Sequence, residues 1–191
     1  IRYLRGQQTE HSSMLIHVTR FNSVQQNVNR QVEEYIRHIK QRITRGIDNG
    51  EILKTLENLF TKDFLPTSEF IPDEVPPVAP TWEDIEAILP EVLADIQVRM
   101  INGTAKDALD YAEHKGSGLK VIAIGGDKLA RGLTLEGLCV SYFLRASKMY
   151  DTLMQMGRWF GYRPGYLDTC RLYTTSELSE WFGHIAEAAE E

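Results

Sequence analysis

Several features that define whole classes of protein are missing from this sequence. Its 191 residues include two cysteines, Cys139 and Cys170, too few for a disulfide framework, so we expect a reducing cytoplasm. No run of about eighteen apolar residues occurs, and we therefore expect neither a membrane span nor a membrane partner. The five histidines and two cysteines form no metal-ligand spacing, which argues against a structural or catalytic metal.

Two sequence motifs that ATP hydrolysis requires are also absent. The chain has no phosphate-binding loop of the GxxxxGKS/T type and no acidic DExx box for magnesium. We therefore expect the isolated chain to bind no cofactor and to be inactive as an ATPase. The first residue is Ile1 rather than Met, from which we expect a piece of a longer protein.

What is present is typical of one globular domain. Apolar residues make up 42% and charged residues 25% of the chain. The net charge of -6 conceals two segments of opposite sign: residues 48–95 carry twelve acidic and two basic side chains, and residues 115–175 carry nine basic and four acidic ones. Six of the seven prolines lie between Pro66 and Pro90. We interpret residues 48–95, approximately, as an acidic, proline-rich insertion that is mainly helical or loop, with Phe64–Pro80 as an extended linker or surface loop.

Short apolar runs predict five strands. They lie at Met14–Val18, Ile96–Ile101, Lys120–Ile124, Cys139–Leu144 and Cys170–Tyr173. His17 inside the first strand, like the two cysteines, is expected to be a core residue rather than a ligand.

Helical patterns alternate with these strands. Apolar residues at steps of three and four predict an amphipathic helix that ends near Gly46; they are Val24, Val28, Val32, Tyr35, Ile36, Ile39 and Ile43. Capping signals predict two further helices, one from Thr81 towards Leu93 and one from Thr104 to about Lys115. A last helix is predicted from Ser147 to about Trp159.

Alternating strands and helices, with near-continuous apolar strands, predict an α/β fold whose parallel sheet is covered on both faces. Ligands of such sheets bind beyond the carboxyl ends of the strands. This rule directs attention to the loops after Val18, Ile124 and Leu144.

The densest polar motif follows the third predicted strand, from Gly125 to Gly137. Gly125 and Gly126 would let backbone amides approach an anion, and Asp127 and Arg131 add one charge of each sign before Gly132. A structural turn with a surface salt bridge explains the same residues equally well.

The second motif runs from Gln155 to Tyr166. Arg158 and Arg163 lie near the end of a predicted helix, among aromatic residues and glycines. The planar guanidinium of arginine suits the negative charge of a phosphoryl group in transfer. Arginines at this position can equally complement the helix dipole.

In this order the two motifs resemble motifs V and VI of superfamily 2 helicases, and Met14–Val18 with the residues Thr19 to Asn22 falls where motif IV belongs. The chain is most similar to the Z1 domain, found with helicase-like ATPases of bacterial restriction and stress-sensitive restriction systems, described as endonucleases. Residues 118–174 carry the resemblance, above all the Leu-Ala-Arg-Gly-Leu-Thr and Gln-Met-Gly-Arg-Trp-Phe-Gly-Tyr-Arg segments.

The resemblance implies a single C-terminal RecA-like lobe over residues 1–191. ATP and Mg²⁺ would bind only together with an N-terminal RecA-like lobe of the same protein. Arg163 and Arg158 would be the candidate arginine fingers; their spacing of five, where helicases have three, leaves open which one reaches the phosphate.

The resemblance also implies the other contacts. Nucleotide contacts would come from Asp127, Arg131, Gly132 and Gln155, and nucleic-acid contacts from Thr19, Arg20, Gly125 and Gly126. DNA, bound weakly by this chain alone, and the N-terminal lobe would be the partners. The alternative is a non-catalytic RecA-like module that docks a partner protein through the acidic insertion.

Overall fold

The chain folds around one parallel β-sheet. The computed structural model describes residues 1–19, 21–70, 80–101, 111–126, 135–143 and 165–190. The five strands are β1 (Ser12–His17), β2 (Ile96–Ile101), β3 (Lys120–Gly125), β4 (Leu138–Phe143) and β5 (Arg171–Thr174). Their order is β2-β3-β1-β4-β5, and every neighbouring pair is parallel. The predicted α/β class with a parallel sheet flanked by helices is confirmed, and all five predicted strands are present within one or two residues.

Burial differs between the two strands β1 and β3, which lie side by side in the sheet. In β1 the buried residues alternate, with Ser13, Leu15 and His17 on one face. In β3 burial is continuous from Val121 onwards. The main core lies on the Leu15 face, where Val121, Leu138, Phe143 and Leu178 pack together. The C-terminal helix, Ser176–Glu190, contributes Leu178 to this core and Phe182 to its margin.

The opposite face of the sheet carries a long helix, α1 (Asn22–Arg45), which packs against β2 and β3. It ends as predicted at Gly46, whose φ of 63° is the left-handed conformation that terminates helices. The predicted apolar stripe is wrong at two positions, because Val24 is 39% and Tyr35 66% exposed. Gln25 is buried in place of Val24, so the helix presents a different face to the sheet at its first turn.

Three more helices follow in the acidic segment: α2 (Gly50–Leu59), α3 (Leu65–Phe70) and α4 (Trp82–Asp95), with one π-helical turn at Phe60–Phe64. The prediction of a helix from Thr81 is confirmed, since the Thr81 side chain accepts a hydrogen bond from the Asp84 amide and the Asp84 side chain accepts one from the Thr81 amide. The C-terminal helix is α5.

Two local predictions were wrong. Phe64–Phe70 is helical rather than extended: it continues α2 and the π-helical turn without a break, so Pro66 lies inside one helical stretch. Residues 71–79 of the predicted linker lie outside the described residues. Residues 111–117 form turns rather than the end of a helix, since Gly116 and Gly118 adopt positive φ values that lead the chain into β3. The Thr104 cap and the helix from Ser147 to Trp159 lie outside the described residues.

One buried ion pair and one partly exposed ion pair lie where the acidic segment meets the amino ends of the strands. Arg5 donates two hydrogen bonds to the carboxylate of Asp168, at 2.7 and 2.6 Å, and both side chains are almost fully buried. The Ser68 hydroxyl of α3 also contacts this carboxylate. Nearby, Arg171 of β5 donates hydrogen bonds to Asp63 and to Thr67, both at 2.9 Å. Residues 63–68 of the acidic segment are therefore bonded to Asp168 and Arg171 at the amino ends of the strands.

The Arg5–Asp168 pair should be a large contributor to stability. Asp168→Asn would leave the buried guanidinium without its carboxylate, and we expect the free energy of unfolding to fall by about 3–5 kcal/mol. The matched control is Asp48→Asn, since Asp48 pairs with Arg42 on the exposed surface, where the loss should be below about 1 kcal/mol. Urea unfolding followed by circular dichroism compares the two, and equal losses would contradict this role.

The Asp168 carboxylate should also make the free energy of unfolding depend on pH in the acidic range. Burial alone raises the pKa of Asp168, but hydrogen bonds from Arg5 and Ser68 outweigh it and hold the pKa below its ordinary value. The Arg5–Asp168 pair therefore makes its full contribution to the free energy of unfolding above the unfolded-state pKa of about 3.9. This contribution is lost as the pH falls through the lower folded-state pKa. Across that acidic range the wild-type chain should lose more unfolding free energy than D168N.

Candidate functional site

The strand register brings three chain segments to one edge of the sheet. His17 at the end of β1 lies opposite Gly125 at the end of β3 and opposite Phe143 at the end of β4. The segments that follow these strands therefore start side by side. This is the carboxyl edge, where the sequence placed the ligand site, and we call it so below.

Two backbone segments touch closely at the carboxyl edge. The amide of Val18 donates a 2.8 Å hydrogen bond to the carbonyl of Gly125, which extends the pairing of β1 and β3 by one residue. A Cβ atom on Gly126 would lie only 2.6 Å from the Thr19 carbonyl oxygen. Position 126 therefore has no room for a side chain. Thr19, Gly125 and Gly126, three of the residues predicted to bind nucleic acid, lie together here.

A residue that the sequence analysis missed completes this contact. The Gln25 amide group is 97% buried, and its Nε2 donates a 2.8 Å hydrogen bond to the Thr19 carbonyl. Its Oε1 has no hydrogen-bond partner among the described residues, and neither does Oδ1 of Asn29, one helical turn further on. Gln25 and Asn29 continue the steps of four and three that lead to Val32 in the buried stripe of α1. Two side-chain amides in line with an apolar stripe are the sequence signal that could have identified Gln25 and Asn29.

The N-terminus of α1 lies at the same edge. The helix begins at Asn22, directly after the segment that follows β1, and the Phe21 amide at its N-cap donates a hydrogen bond to Oγ1 of Thr19. The helix dipole makes such an end partly positive, and it favours anionic groups. With the backbone of Gly126 beside Thr19, the carboxyl edge can hold an anion through main-chain amides.

Comparison with known proteins identifies the family. A family model described as the Z1 domain matches residues 1–191. The chain belongs to the Z1 domain family. A search of curated proteins and a search of solved structures each returned no match.

Seven of the predicted site residues of this Z1 domain lie outside the described residues, so their predictions are untested. They are Arg20, Asp127, Arg131, Gly132, Gln155, Arg158 and Arg163. Within the described ranges, no group of three or more histidine, cysteine, aspartate or glutamate side chains could hold a metal ion. None of the described helices has the length and hydrophobicity needed to cross a bilayer.

The residues predicted to be structural are largely so. His17 is fully buried, and its ring centre lies 4.6 Å from that of Phe143. Cys139 and Cys170 are half-buried thiols near the amino ends of β4 and β5, rather than the fully buried core residues that we expected.

The close contact at Gly126 can be tested by adding one methyl group. Gly126→Ala should lower the free energy of unfolding by about 1–3 kcal/mol, because the Thr19 carbonyl must move. Gly183→Ala is the matched control: Gly183 lies inside α5 with no neighbour within 4 Å of its Cβ position, so alanine should stabilise by about 0.5–1 kcal/mol. Urea unfolding measures both. A Gly126→Ala variant as stable as the parent would show that the two segments do not meet as described.

Proposed function

We propose that this Z1 domain is the second RecA-like lobe of a superfamily 2 helicase-like, DNA-dependent ATPase in a bacterial restriction or defence system. Membership of the Z1 family favours a role connected with restriction. The observation that carries the proposal is the carboxyl edge, where three parallel strands end together beside the start of α1. That arrangement suits phosphate groups, which DNA and ATP share.

On this proposal DNA phosphates bind along the Thr19–Gly126 contact. Main-chain amides and the start of α1 supply partial positive charge, and Arg20 adds a full charge beside Thr19. Gly126 has no side chain because the Thr19 carbonyl oxygen occupies that space, and this lets the segments after β1 and β3 lie against each other. Phosphate contacts of this kind bind DNA of any sequence.

ATP would bind between this lobe and an N-terminal lobe of the same protein. The N-terminal lobe would supply the phosphate cradle and the magnesium carboxylate. Asp127, Arg131, Gly132 and Gln155 would face the nucleotide from this side. Arg163 or Arg158 would stabilise the charge that develops on the γ-phosphoryl group, which is the largest contribution this lobe can make to the rate.

The arginines provide the sharpest test. In the protein that joins this domain to its first lobe, Arg163→Ala or Arg158→Ala should lower DNA-stimulated ATP hydrolysis by about three to five orders of magnitude. Arg45→Ala at the far, exposed end of α1 is the matched control and should leave hydrolysis unchanged. Phosphate release measures all three, and circular dichroism checks folding. Near-normal turnover in both test variants would refute the proposal.

DNA binding by this chain alone should be weak and salt-dependent. Few phosphate contacts and a net charge of -6 leave little electrostatic attraction. Arg20→Ala should weaken binding and reduce the slope of log K against log salt by about one, whereas Arg45→Ala should change neither. Fluorescence anisotropy with a labelled duplex measures this. Tight binding that salt does not weaken would contradict it.

The alternative, a non-catalytic interaction module, draws support from α2. This helix has an apolar stripe but no fully buried residue, and Leu59 at its end and Phe70 at the end of α3 are exposed. Measurements of partner binding and of ATP hydrolysis in the complete protein distinguish the two functions. Loss of partner binding in Leu59→Glu, in a protein that never hydrolyses ATP, would favour the alternative.

A further inference from the structure

A second candidate site lies away from the carboxyl edge. On the sheet face opposite the main core, a cavity of about 390 Å³ opens near the amino ends of the strands. Its floor is formed by Met14, Ile122 and Val140, which are paired across β1, β3 and β4. Phe64 of the π-helical turn and Val92 of α4 form its walls. Its volume and mainly apolar lining suit a small organic molecule.

The polar end of this cavity is Arg2. Its side chain is only 9% exposed, and its guanidinium lies 3.8 Å from the ring centre of Tyr166. Nε donates to Gln7, and Nη1 donates to the His11 carbonyl and to the Ser12 hydroxyl, each at 2.8 Å.

All of these acceptors are neutral. Within the described residues no carboxylate pairs with Arg2, and its Nη2 donates no hydrogen bond. Buried cations in proteins are usually paired, because desolvation without a counter-charge is costly. Arg5, three residues further on, has such a partner in Asp168. Among the described residues, Arg2 therefore differs from Arg5 in having no carboxylate partner.

A second cation shares this end of the cavity. Lys120 lies directly opposite Ser12 in the β1–β3 ladder, and its stem also lines the cavity. Its ammonium group contacts the backbone carbonyls of Gln8, Ser117 and Gly118. Burial lowers the pKa of Lys120 below its ordinary value; the charges of Asp95 and Glu10 oppose this and that of Arg2 adds to it. Two cations, Arg2 and Lys120, therefore lie at this end of the cavity.

We propose that the cavity binds a small, mainly apolar molecule that carries one anionic group. The anion accepts hydrogen bonds from Nη2 of Arg2, and the apolar body covers Met14, Ile122 and Val140. This site is independent of the proposed helicase function, which uses the other edge of the sheet.

Three probes of matched shape test the requirement for charge: 4-phenylbutyrate, 4-phenylbutanol and 4-phenylbutylamine. By isothermal titration calorimetry on the chain of residues 1–191, the carboxylate should bind at least about tenfold more tightly than the alcohol, as expected for a hydrogen bond to a charged group. The amine should bind most weakly. Added salt should weaken binding of the carboxylate and leave that of the alcohol unchanged.

Substitutions then locate the site. Val140→Phe fills the floor and should reduce the affinity for carboxylate and alcohol alike by about tenfold or more. Leu172→Phe, on the neighbouring strand and on the opposite face, is the matched control and should change neither. Arg2→Gln should remove the preference for the carboxylate while alcohol binding persists, with folding checked by circular dichroism.

Two results would overturn the proposal. One is equal affinity, or no binding, for all three probes in the wild-type chain. The other is a carboxylate affinity that Val140→Phe leaves unchanged. The salt dependence and the effect of Val140→Phe are measured with Arg2 in place, so the test holds even where Arg2→Gln fails to fold.

Discussion

The parallel pairing of β1 with both β3 and β4 is the constraint on which the rest of this structure depends. The β1–β3 register is continuous, and the β1–β4 register is regular from Met14 onwards after an irregularity between Ser13 and Met14, so His17, Gly125 and Phe143 end at the same level. Gly126, which follows β3, is thereby brought into contact with Thr19, which follows β1. A shift of one residue would turn Leu15 out of the core and separate that contact, so the core and the candidate site share one determinant.

The two edges of the sheet differ in the groups that the described residues place there. At the amino edge, Arg5 with Asp168 and Arg171 with Asp63 pair oppositely charged side chains from distant parts of the chain. The acidic segment is held against the sheet by the Arg171–Asp63 pair and by the contact of Ser68 with Asp168. Among the described residues of the carboxyl edge, the ends of the strands lie beside the start of α1. Such an edge offers partial positive charge to a ligand, and this asymmetry underlies the proposed function.

Much of the fold could be predicted because its signals are local. Gly46 ends α1 and Thr81 starts α4 through contacts within a few residues, which a sequence pattern contains. The failures have equally specific reasons. The helix at Leu65–Phe70 is stabilised by distant partners, Asp168 and Arg171, which no local pattern reveals. Gln25 replaces Val24 in the buried stripe because the Thr19 carbonyl needs a donor.

The sequence by itself determined the α/β class, the strand positions, the segregation of charge and the resemblance to the Z1 domain, since each rests on residues close together in the chain. The tertiary structure alone decided the strand order, the meeting of Thr19 with Gly126, and the Arg2 cavity. Each of these joins residues that are far apart in sequence: Arg2 and Val140 come together only after β1 has entered the middle of the sheet. Long-range pairing is a property of the folded chain as a whole, and no short window of residues encodes it.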